Sequence, residues 1–143
     1  MIIVDLNILI YAVNSSAANH ARVADWWNSA VGGEEPVGLP WTVLNGFLRL
    51  TTRGGILQRP LPVDTALRLV DDWLRIDNIL VPRETPHHWT ILKRILAETG
   101  AGGNLVTDAH LAALAIGHGA ILATCDSDFA RFVGLRWLSP LRS

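Results

Sequence analysis

The chain alternates between short apolar runs and longer amphipathic stretches, and this alternation predicts strands and helices in turn. Apolar runs rich in Ile, Leu and Val at residues 2–4, 79–81 and 121–124 have the length of strands buried on both faces. Residues 36–40 and 136–138 predict two further short strands. Between the strands, apolar residues recur every three or four positions, which is typical of helices packed on a core. The predicted helices cover residues 6–13, 19–31, 42–52, 64–75, 85–99 and 105–117, with a short helical turn at 129–133.

Several of these helices are preceded by residues that commonly cap a helix. Thr42 and Asn104 carry side-chain oxygens suited to an N-cap, and Thr85 is followed by Pro86, a residue favoured at the first helical position. Strands that alternate with helices build α/β proteins with a mainly parallel sheet. We therefore expect one domain over residues 1–143, with a three-layer α/β/α arrangement and a mainly parallel central sheet.

Composition narrows the class of protein without identifying it. Half of the 143 residues are hydrophobic and 17% are charged, which excludes a disordered chain. The formal net charge is −1, so no overall basic field indicates a nucleic-acid partner. Cys125 is the only cysteine, which excludes a disulfide within the chain and fits a reducing compartment. We recognise no signal sequence and no stretch long enough to span a bilayer, so we expect a cytoplasmic protein.

Two of the predicted strands end in aspartate. Asp5 follows the strand at residues 2–4, and Asp126 comes two residues after the strand at 121–124, with Asp128 close behind. The carboxyl ends of parallel strands lie at one edge of a sheet, where open α/β proteins bind their ligands. The helix that leads into the second of these strands should begin at the same edge, and it carries Asp108 in its opening turns. The sequence therefore predicts a cluster of carboxylates there.

Carboxylates gathered in a partly buried crevice repel one another strongly because the local dielectric constant is low. Either some of them are protonated or a cation lies among them. Oxygen ligands suit Mg²⁺ or Mn²⁺, which are held by a few carboxylates together with water and substrate phosphate. A pair of such ions, about 3.5–4 Å apart, can stabilise both oxygens that exchange in phosphodiester hydrolysis.

Each carboxylate, taken alone, also has an ordinary structural explanation. Asp5 and Asp126 could cap the helical segments that follow them, and Asp108 could interact with its helix dipole. Asp108 is the hardest to explain in this way, because its neighbours should be buried and an unpaired buried charge is costly. The convergence of all of them on one edge favours a functional site.

Three segments that contain these acids resemble a known pattern. They are residues 3–7 (IVDLN), 104–112 (NLVTDAHLA) and 123–129 (ATCDSDF). They resemble the three acidic motifs of PIN-domain ribonucleases and, more narrowly, those of the VapC toxins of bacterial VapBC toxin–antitoxin modules. The resemblance covers nearly the whole chain. It implies a PIN fold with a central parallel sheet and Mg²⁺- or Mn²⁺-dependent endonuclease activity on RNA.

The resemblance also implies a role for each acid. By position in the motifs, Asp5 and Asp108 would be the principal metal ligands, with Asp126 as a further ligand. Asp126 and Asp128 would complete the acidic ring, and Asn7 would support the geometry of Asp5. Catalysis would then use a metal-activated water and no covalent nucleophile.

Partners follow from the same resemblance. It implies a homodimer and a cognate VapB-like antitoxin, which docks an apolar segment beside the crevice and inserts a basic side chain among the acids. It also implies an RNA substrate of the tRNA or rRNA class. No membrane partner is implied.

One position departs from the family pattern. The family usually carries a Glu on the helix after the second strand, three residues before an Arg. Arg49 is present here, but Gly46 occupies the position of the Glu, and Glu34 and Glu35 precede the strand instead. This departure leaves open whether one or two metal ions bind, and it motivates an alternative in which a degenerate PIN domain binds RNA or protein with little or no catalysis.

Other candidate residues carry weaker signals. Arg49, Arg53 and Arg59 could line a path for RNA, or they could be a solvated helix end, and we keep Arg49 as a substrate-binding candidate. Phosphotransfer through an aspartyl-phosphate on Asp5 is a second alternative, although Lys93 lies far from any strand end. The five histidines show no spacing typical of a zinc site, and we expect Cys125 to be structural.

Overall fold

A computed structural model of the protein describes residues 1–100 and 102–142. Ala101 and Ser143, which belong to the predicted domain, lie outside the described residues. The described helices are α1 (Leu6–Val13), α2 (His20–Val31), α3 (Trp41–Thr52), α4 (Val63–Leu74), α5 (His88–Thr99) and α6 (Leu105–Gly117). The strands are β1 (Ile2–Val4), β2 (Val37–Gly38), β3 (Ile79–Leu80), β4 (Ile121–Ala123) and β5 (Trp137–Leu138), and a short 3₁₀ helix spans Ser127–Arg131.

The strands form one sheet in the order β3-β2-β1-β4-β5, and every described pairing is parallel. In the centre, Ile3 of β1 lies opposite Gly38 of β2 on one side and Leu122 of β4 on the other. The chain runs outwards from β1 through β2 to β3 and then returns to the far side of β1 for β4. This confirms the predicted α/β class, and it places a topological switch point between β1 and β4.

The connections explain the layers. Crossovers between parallel strands are right-handed in nearly all proteins, so reversing the direction of travel across a sheet moves the connecting helices to its other face. In agreement, α1 packs against α2 and α3, α3 packs against α4, and α5 packs against α6. The result is the predicted arrangement of three layers, with α6 leading back into the centre of the sheet.

The buried core holds the central strand firmly. Ile3 and Val4 of β1 and Leu122 of β4 are fully buried. On the α3 side, Phe47 packs edge-to-face on Trp73 with ring centroids 4.8 Å apart, and Trp73 packs in the same way on Trp27 at 5.7 Å. Side chains at the carboxyl end of β1 therefore stand on a rigid support.

Three predicted helix caps differ from the structure. Helix α3 begins at Trp41 after Pro40, so Thr42 is inside the helix and does not cap it. Helix α5 begins at His88, because the chain first makes a separate turn in which the His88 N–H donates to the Thr85 carbonyl at 3.0 Å. Asn104 does precede α6, but its side chain makes no capping hydrogen bond. The sequence signals marked the right regions, but none of the three predicted side chains caps its helix.

Across residues 1–100 and 102–142, we find no helix with the length and hydropathy needed to cross a membrane.

Candidate active site

The predicted acids lie at the carboxyl edge of the sheet, at the switch point between β1 and β4. Asp5 directly follows β1, and Asp126 lies three residues beyond the end of β4. Asp108 lies on the first turn of α6, which reaches the same edge of the sheet. Asp5, Asp108 and Asp126 all line one open cavity of about 410 Å³. The parallel pairing of β1 with β4 explains their convergence, because it brings the two strand ends side by side.

Asp5 is the most constrained of these side chains. Its Oδ1 accepts a hydrogen bond from the Leu6 N–H at 2.7 Å, which caps α1. Its Oδ2 accepts from the Thr124 hydroxyl at 2.7 Å and from Asn7 Nδ2 at 3.1 Å. Asp5 therefore caps α1 through Oδ1, and it also lies among the converging acids.

Burial raises the pKa of Asp5 from 3.8 to about 6. The hydrogen bonds from Thr124 and from the Leu6 N–H lower this pKa, while the charges of Asp108 and Asp126 raise it further. A carboxylate whose charge is disfavoured by burial and by neighbouring acids gains from any cation placed beside it. Asp5 therefore has the electrostatic properties of a ligand for a cation.

Thr124 is the residue that connects the site, although its sequence position indicates only the end of a strand. It is fully buried, and its hydroxyl donates to Asp5 while accepting from the Asp126 N–H at 3.0 Å and from Asn7 Nδ2 at 3.2 Å. A polar residue that ends an otherwise apolar strand beside a second strand end was the signal that could have revealed it. Thr124 ties the ends of β1 and β4 together.

Asn7 supports Asp5, as the family resemblance implies. Its Oδ1 accepts from the Cys125 N–H at 3.1 Å, so the orientation of the amide group is determined. That orientation directs Nδ2 towards Asp5 and Thr124. Asn7 also lines the acidic cavity.

Asp108 and Asp126 line the same cavity, and their negative charges repel each other. Burial raises the pKa of Asp108, the charges of Asp126 and Asp128 raise it further, and Arg131 partly offsets the increase. Asp126 accepts from the Asp128 N–H at 2.9 Å and so caps the 3₁₀ helix. Like Asp5, Asp126 combines a capping hydrogen bond with a position in the crevice.

Asp128 and Arg49 lie next to the crevice without lining it. Asp128 is exposed on the 3₁₀ helix, and its carboxylate lies 3.8 Å from Arg131. Arg49 lines a neighbouring cavity on the other side of Leu6. The structure therefore brings Asp5, Asn7, Asp108 and Asp126 together and places Asp128 and Arg49 at the rim.

No acid is contributed from α3. A Cβ atom built on Gly46 would lie 2.7 Å from Cδ2 of Leu6, because Leu6 packs directly on the bare backbone of the helix. Glu35 is exposed and pairs with the amino group of Met1 at 2.7 Å, away from the crevice. The α3 side of the cavity is apolar here.

The remaining lining is mostly apolar. Beside the acids and Asn7, the wall is formed by α1, the end of α3 and the loop that follows α3, and its residues are Leu6, Ile10, Tyr11, Asn14, Leu50, Gly55 and Ile56. A cavity with charged oxygens at one end and an apolar wall at the other suits a ligand of mixed character.

The acids fit a divalent cation in their chemistry. Mg²⁺ and Mn²⁺ prefer oxygen ligands and retain several waters, so one or two protein carboxylates can suffice. Within residues 1–100 and 102–142, no three His, Cys, Asp or Glu side chains stand close enough to enclose an ion by themselves. Asp5, Asp108 and Asp126 therefore do not form a closed cage, and an ion held by their oxygens would have to keep part of its water shell.

Two other groups that could carry chemistry have structural roles. Burial, followed by the charge of Asp5, raises the pKa of the Cys125 thiol to about 11, which disfavours the thiolate that a nucleophile requires. His88 Nε2 and His110 Nδ1 are 3.1 Å apart, and His110 Nε2 lies 3.3 Å from Glu84. This chain joins α5 to α6 outside the crevice. Lys93 lies on α5 and does not line the cavity that holds Asp5, which disfavours the aspartyl-phosphate alternative.

Comparisons with known proteins show what the chain as a whole is similar to. The family model described as PIN domain matches residues 2–135. Ribonuclease VapC37 of Mycobacterium tuberculosis is 45% identical over 140 residues, covering 98% of this chain and 97% of that protein. Ribonuclease VapC33 of the same species is 39% identical over 142 residues and covers 99% of each chain.

Solved structures share the fold at low sequence identity. VapBC2 from Rickettsia felis, bound to a promoter DNA fragment, has a TM-score of 0.72 at 17% identity, covering 97% of this chain and 98% of that chain. Mycobacterium tuberculosis VapC20, described as a toxin that cleaves the Sarcin-Ricin loop, has a TM-score of 0.69 at 20% identity, covering 95% and 99%. These structures show the shared fold, while the family match over residues 2–135 and the two VapC relatives show that the chain belongs to the PIN-domain family, among its VapC ribonucleases.

Proposed function

We propose that this protein is the toxin of a type II toxin–antitoxin module, an endoribonuclease that depends on Mg²⁺ or Mn²⁺ and that a cognate antitoxin silences. The single observation that carries the proposal is the convergence of Asp5, Asp108 and Asp126 on one cavity at the carboxyl edge of the sheet. Relatives that are named ribonucleases match the chain over nearly its whole length, which favours catalysis over the non-catalytic alternative.

The residues would divide the work as follows. Asp5, Asp108 and Asp126 would hold the cation, which when bound would neutralise charge on the phosphate and promote ionisation of a water. Thr124 and Asn7 hold the Asp5 carboxylate in one orientation through three hydrogen bonds among them. The acids repel the phosphate backbone when no cation is present, so a bound cation would strengthen the binding of RNA at the crevice.

The antitoxin is proposed from the chemistry of the cavity and from the likeness to VapBC complexes. The apolar wall around Ile10, Leu50 and Ile56 suits an apolar segment, and a basic side chain of the partner could take the place of the cation beside Asp5 and Asp108. Blocking and charge neutralisation would then occur at one site. We further propose a homodimer, a cytoplasmic location and a tRNA or rRNA target, each on the basis of the family alone.

The central test is to incubate the purified protein with total cellular RNA and Mg²⁺ or Mn²⁺ and to map new 5′ ends. We expect discrete cleavage sites with the wild-type protein and none with Asp5→Ala or in EDTA. Cleavage by Asp5→Ala at the wild-type rate, or undiminished cleavage in EDTA, would contradict the assignment. Light scattering after size-exclusion chromatography and co-purification with the adjacent antitoxin would test the two partners.

A further inference from the structure

A second cavity lies beside the acidic one. It has a volume of about 540 Å³ and is open to solvent at the face of α3 and the start of α6. The two cavities share one residue, Leu6, which forms the ridge between them. The lining residues are Leu6, Thr42, Asn45, Gly46, Arg49 and Thr107.

The sequence of α3 builds this second cavity. Thr42, Asn45, Gly46 and Arg49 follow one another at helical spacings of three, one and three, so they share one face of α3. Gly46 is buried beneath Leu6 and has no side chain to fill the bottom of the cavity. The polar side chains around it, those of Thr42, Asn45 and Arg49, are exposed. The face is therefore a shallow polar groove with an apolar ridge on the side of the acids.

Arg49 carries the only positive charge in the lining of this groove. Among the described residues, its guanidinium makes no ion pair or hydrogen bond, whereas Arg68, Arg75 and Arg94 each lie within 4 Å of an acid. Arg131, and not Arg49, is the cation that lowers the pKa of Asp108. The charge of Arg49 is thus not used to balance the acidic crevice.

We propose that this groove binds a backbone phosphate of the RNA strand next to the phosphodiester that is cleaved, with Arg49 as the cation and Thr42, Asn45 and Thr107 as neutral hydrogen-bonding groups. A planar guanidinium suits bidentate contact with phosphate. Hydroxyl and amide side chains commonly contact phosphate and sugar, and such contacts set the register of a strand without reading its bases.

The position of the groove favours a flanking phosphate. A strand whose reacting phosphate lies at Asp5 and Asp108 must pass over the Leu6 ridge to reach Arg49, so adjacent linkages would occupy adjacent cavities. The inference rests on the proposed ribonuclease function, since it takes the acidic crevice as the place of cleavage. Binding of RNA in the groove can nevertheless be measured without cleavage.

The test uses the full-length protein and a 5′-fluorescein-labelled, single-stranded RNA of 20 nucleotides and mixed sequence, in EDTA so that the strand stays intact. Fluorescence anisotropy at several salt concentrations gives the Kd and its salt dependence. We expect Arg49→Ala to raise the Kd about tenfold and to reduce the log–log salt slope by about 0.7, the value for one phosphate contact on a single strand. The Kd and the salt slope of Arg49→Lys should fall between those of the wild-type protein and those of Arg49→Ala.

The control is Arg22→Ala, because Arg22 is exposed on α2 and lines neither cavity. We expect it to change the Kd less than twofold. The inference is overturned if Arg49→Ala keeps the wild-type Kd and salt slope, or if Arg22→Ala weakens binding equally. It is also overturned if Arg49→Ala weakens only the binding of the antitoxin.

Cleavage is followed separately with the RNA sites mapped for the wild-type protein. A methylphosphonate in place of the phosphate on either side of the cleaved bond removes one negative charge. At one of these two positions the neutral linkage should raise the KM of the wild-type protein about tenfold and leave that of Arg49→Ala unchanged. If RNA is cleaved but no position shows this dependence, the groove assignment fails alone, whereas an absence of all cleavage would contradict the proposed function.

Discussion

Replacing Asp5 by asparagine should make the metal-free protein more stable at neutral pH while it abolishes cleavage. The pKa of Asp5 is about 6 in the folded protein, compared with 3.8 for the same group in water. An acid with a raised folded pKa favours the folded state below pH 3.8, and this contribution is lost as the pH rises towards 6. The pKa of Asp5 is raised by roughly two units, and each unit is worth about 1.4 kcal/mol, so ionised Asp5 lowers the free energy of unfolding at neutral pH by about 3 kcal/mol.

The substitution also carries a cost that does not depend on pH. The introduced amide would direct its NH₂ group towards Asn7 Nδ2 and the Thr124 hydroxyl, whose lone pairs already accept two hydrogen bonds. Asn7 cannot turn its amide around without losing the bond to the Cys125 N–H. One poorly satisfied donor costs about 1–2 kcal/mol. We therefore expect a net gain of about 1–2 kcal/mol at pH 7.5.

The assay is urea unfolding in EDTA, followed by the fluorescence of the six tryptophans, for the wild-type protein and for Asp5→Asn. Because asparagine does not titrate, the difference between the two free energies of unfolding isolates Asp5. It should change by about 2 kcal/mol in favour of the variant between pH 4.5 and pH 7.5. Asp25→Asn, on the exposed surface of α2, controls for the loss of one negative charge.

A difference that stays constant across this pH range would refute the reasoning, because it would mean that burial does not disfavour the Asp5 carboxylate. Adding Mn²⁺ at one hundred times its Kd should stabilise the wild-type protein by about 2.7 kcal/mol. The same addition should have a much smaller effect on Asp5→Asn. Equal stabilisation of both proteins would remove Asp5 from the set of metal ligands.

Three other substitutions or reactions test the same picture of the site. Thr124→Val should destabilise the protein by about 1–3 kcal/mol. It should also shift the acid limb of the pH profile of cleavage to higher pH, because the Thr124 hydroxyl lowers the pKa of Asp5 and its removal raises that pKa. Thr124→Ser should restore both the stability and the pH profile. Gly46→Ala should destabilise the wild-type protein by about 1–3 kcal/mol in urea unfolding, because Leu6 blocks the new methyl group. In the Leu6→Ala background the same substitution should stabilise the protein by up to about 1 kcal/mol, because alanine favours the helix and the block is gone. Equal effects in both backgrounds would contradict the contact between Leu6 and Gly46. Alkylation of Cys125 by iodoacetamide at pH 8 should be about a hundred times slower than that of free cysteine, because its pKa is raised to about 11; comparable rates would show an accessible thiolate.

The carboxylate cluster could be predicted from the sequence because it follows from local rules. Two of the short apolar strands end near an acid, and parallel strands place their carboxyl ends at one edge. The strand order was not accessible in the same way. That β1 lies between β2 and β4 depends on packing of helices far apart in the chain, and this order is what brings Asp5 next to Asp126.

The features that the sequence did not reveal all depend on contacts across long stretches of the chain. Thr124 looks like the last residue of a strand until its hydroxyl is seen 2.7 Å from Asp5, more than a hundred positions away. Leu6 looks like part of an apolar helix until it is seen resting on Gly46. Asp128 follows Asp126 closely in sequence, but the intervening turn of 3₁₀ helix exposes it beside Arg131.

The hydrogen bonds around Asp5 explain how the fold keeps a carboxylate that it would be more stable without. Desolvation opposes the charge, but the bonds from Thr124, Asn7 and the Leu6 N–H leave the carboxylate no alternative orientation. The protein therefore holds Asp5 in place while its charge remains incompletely compensated. A cation or a basic side chain of a partner would each supply that compensation, so the two would compete for the same position. The proposed metal binding and the proposed inhibition by an antitoxin thus follow from one electrostatic property. A variant that loses the first, such as Asp5→Asn, should also bind a basic partner segment more weakly.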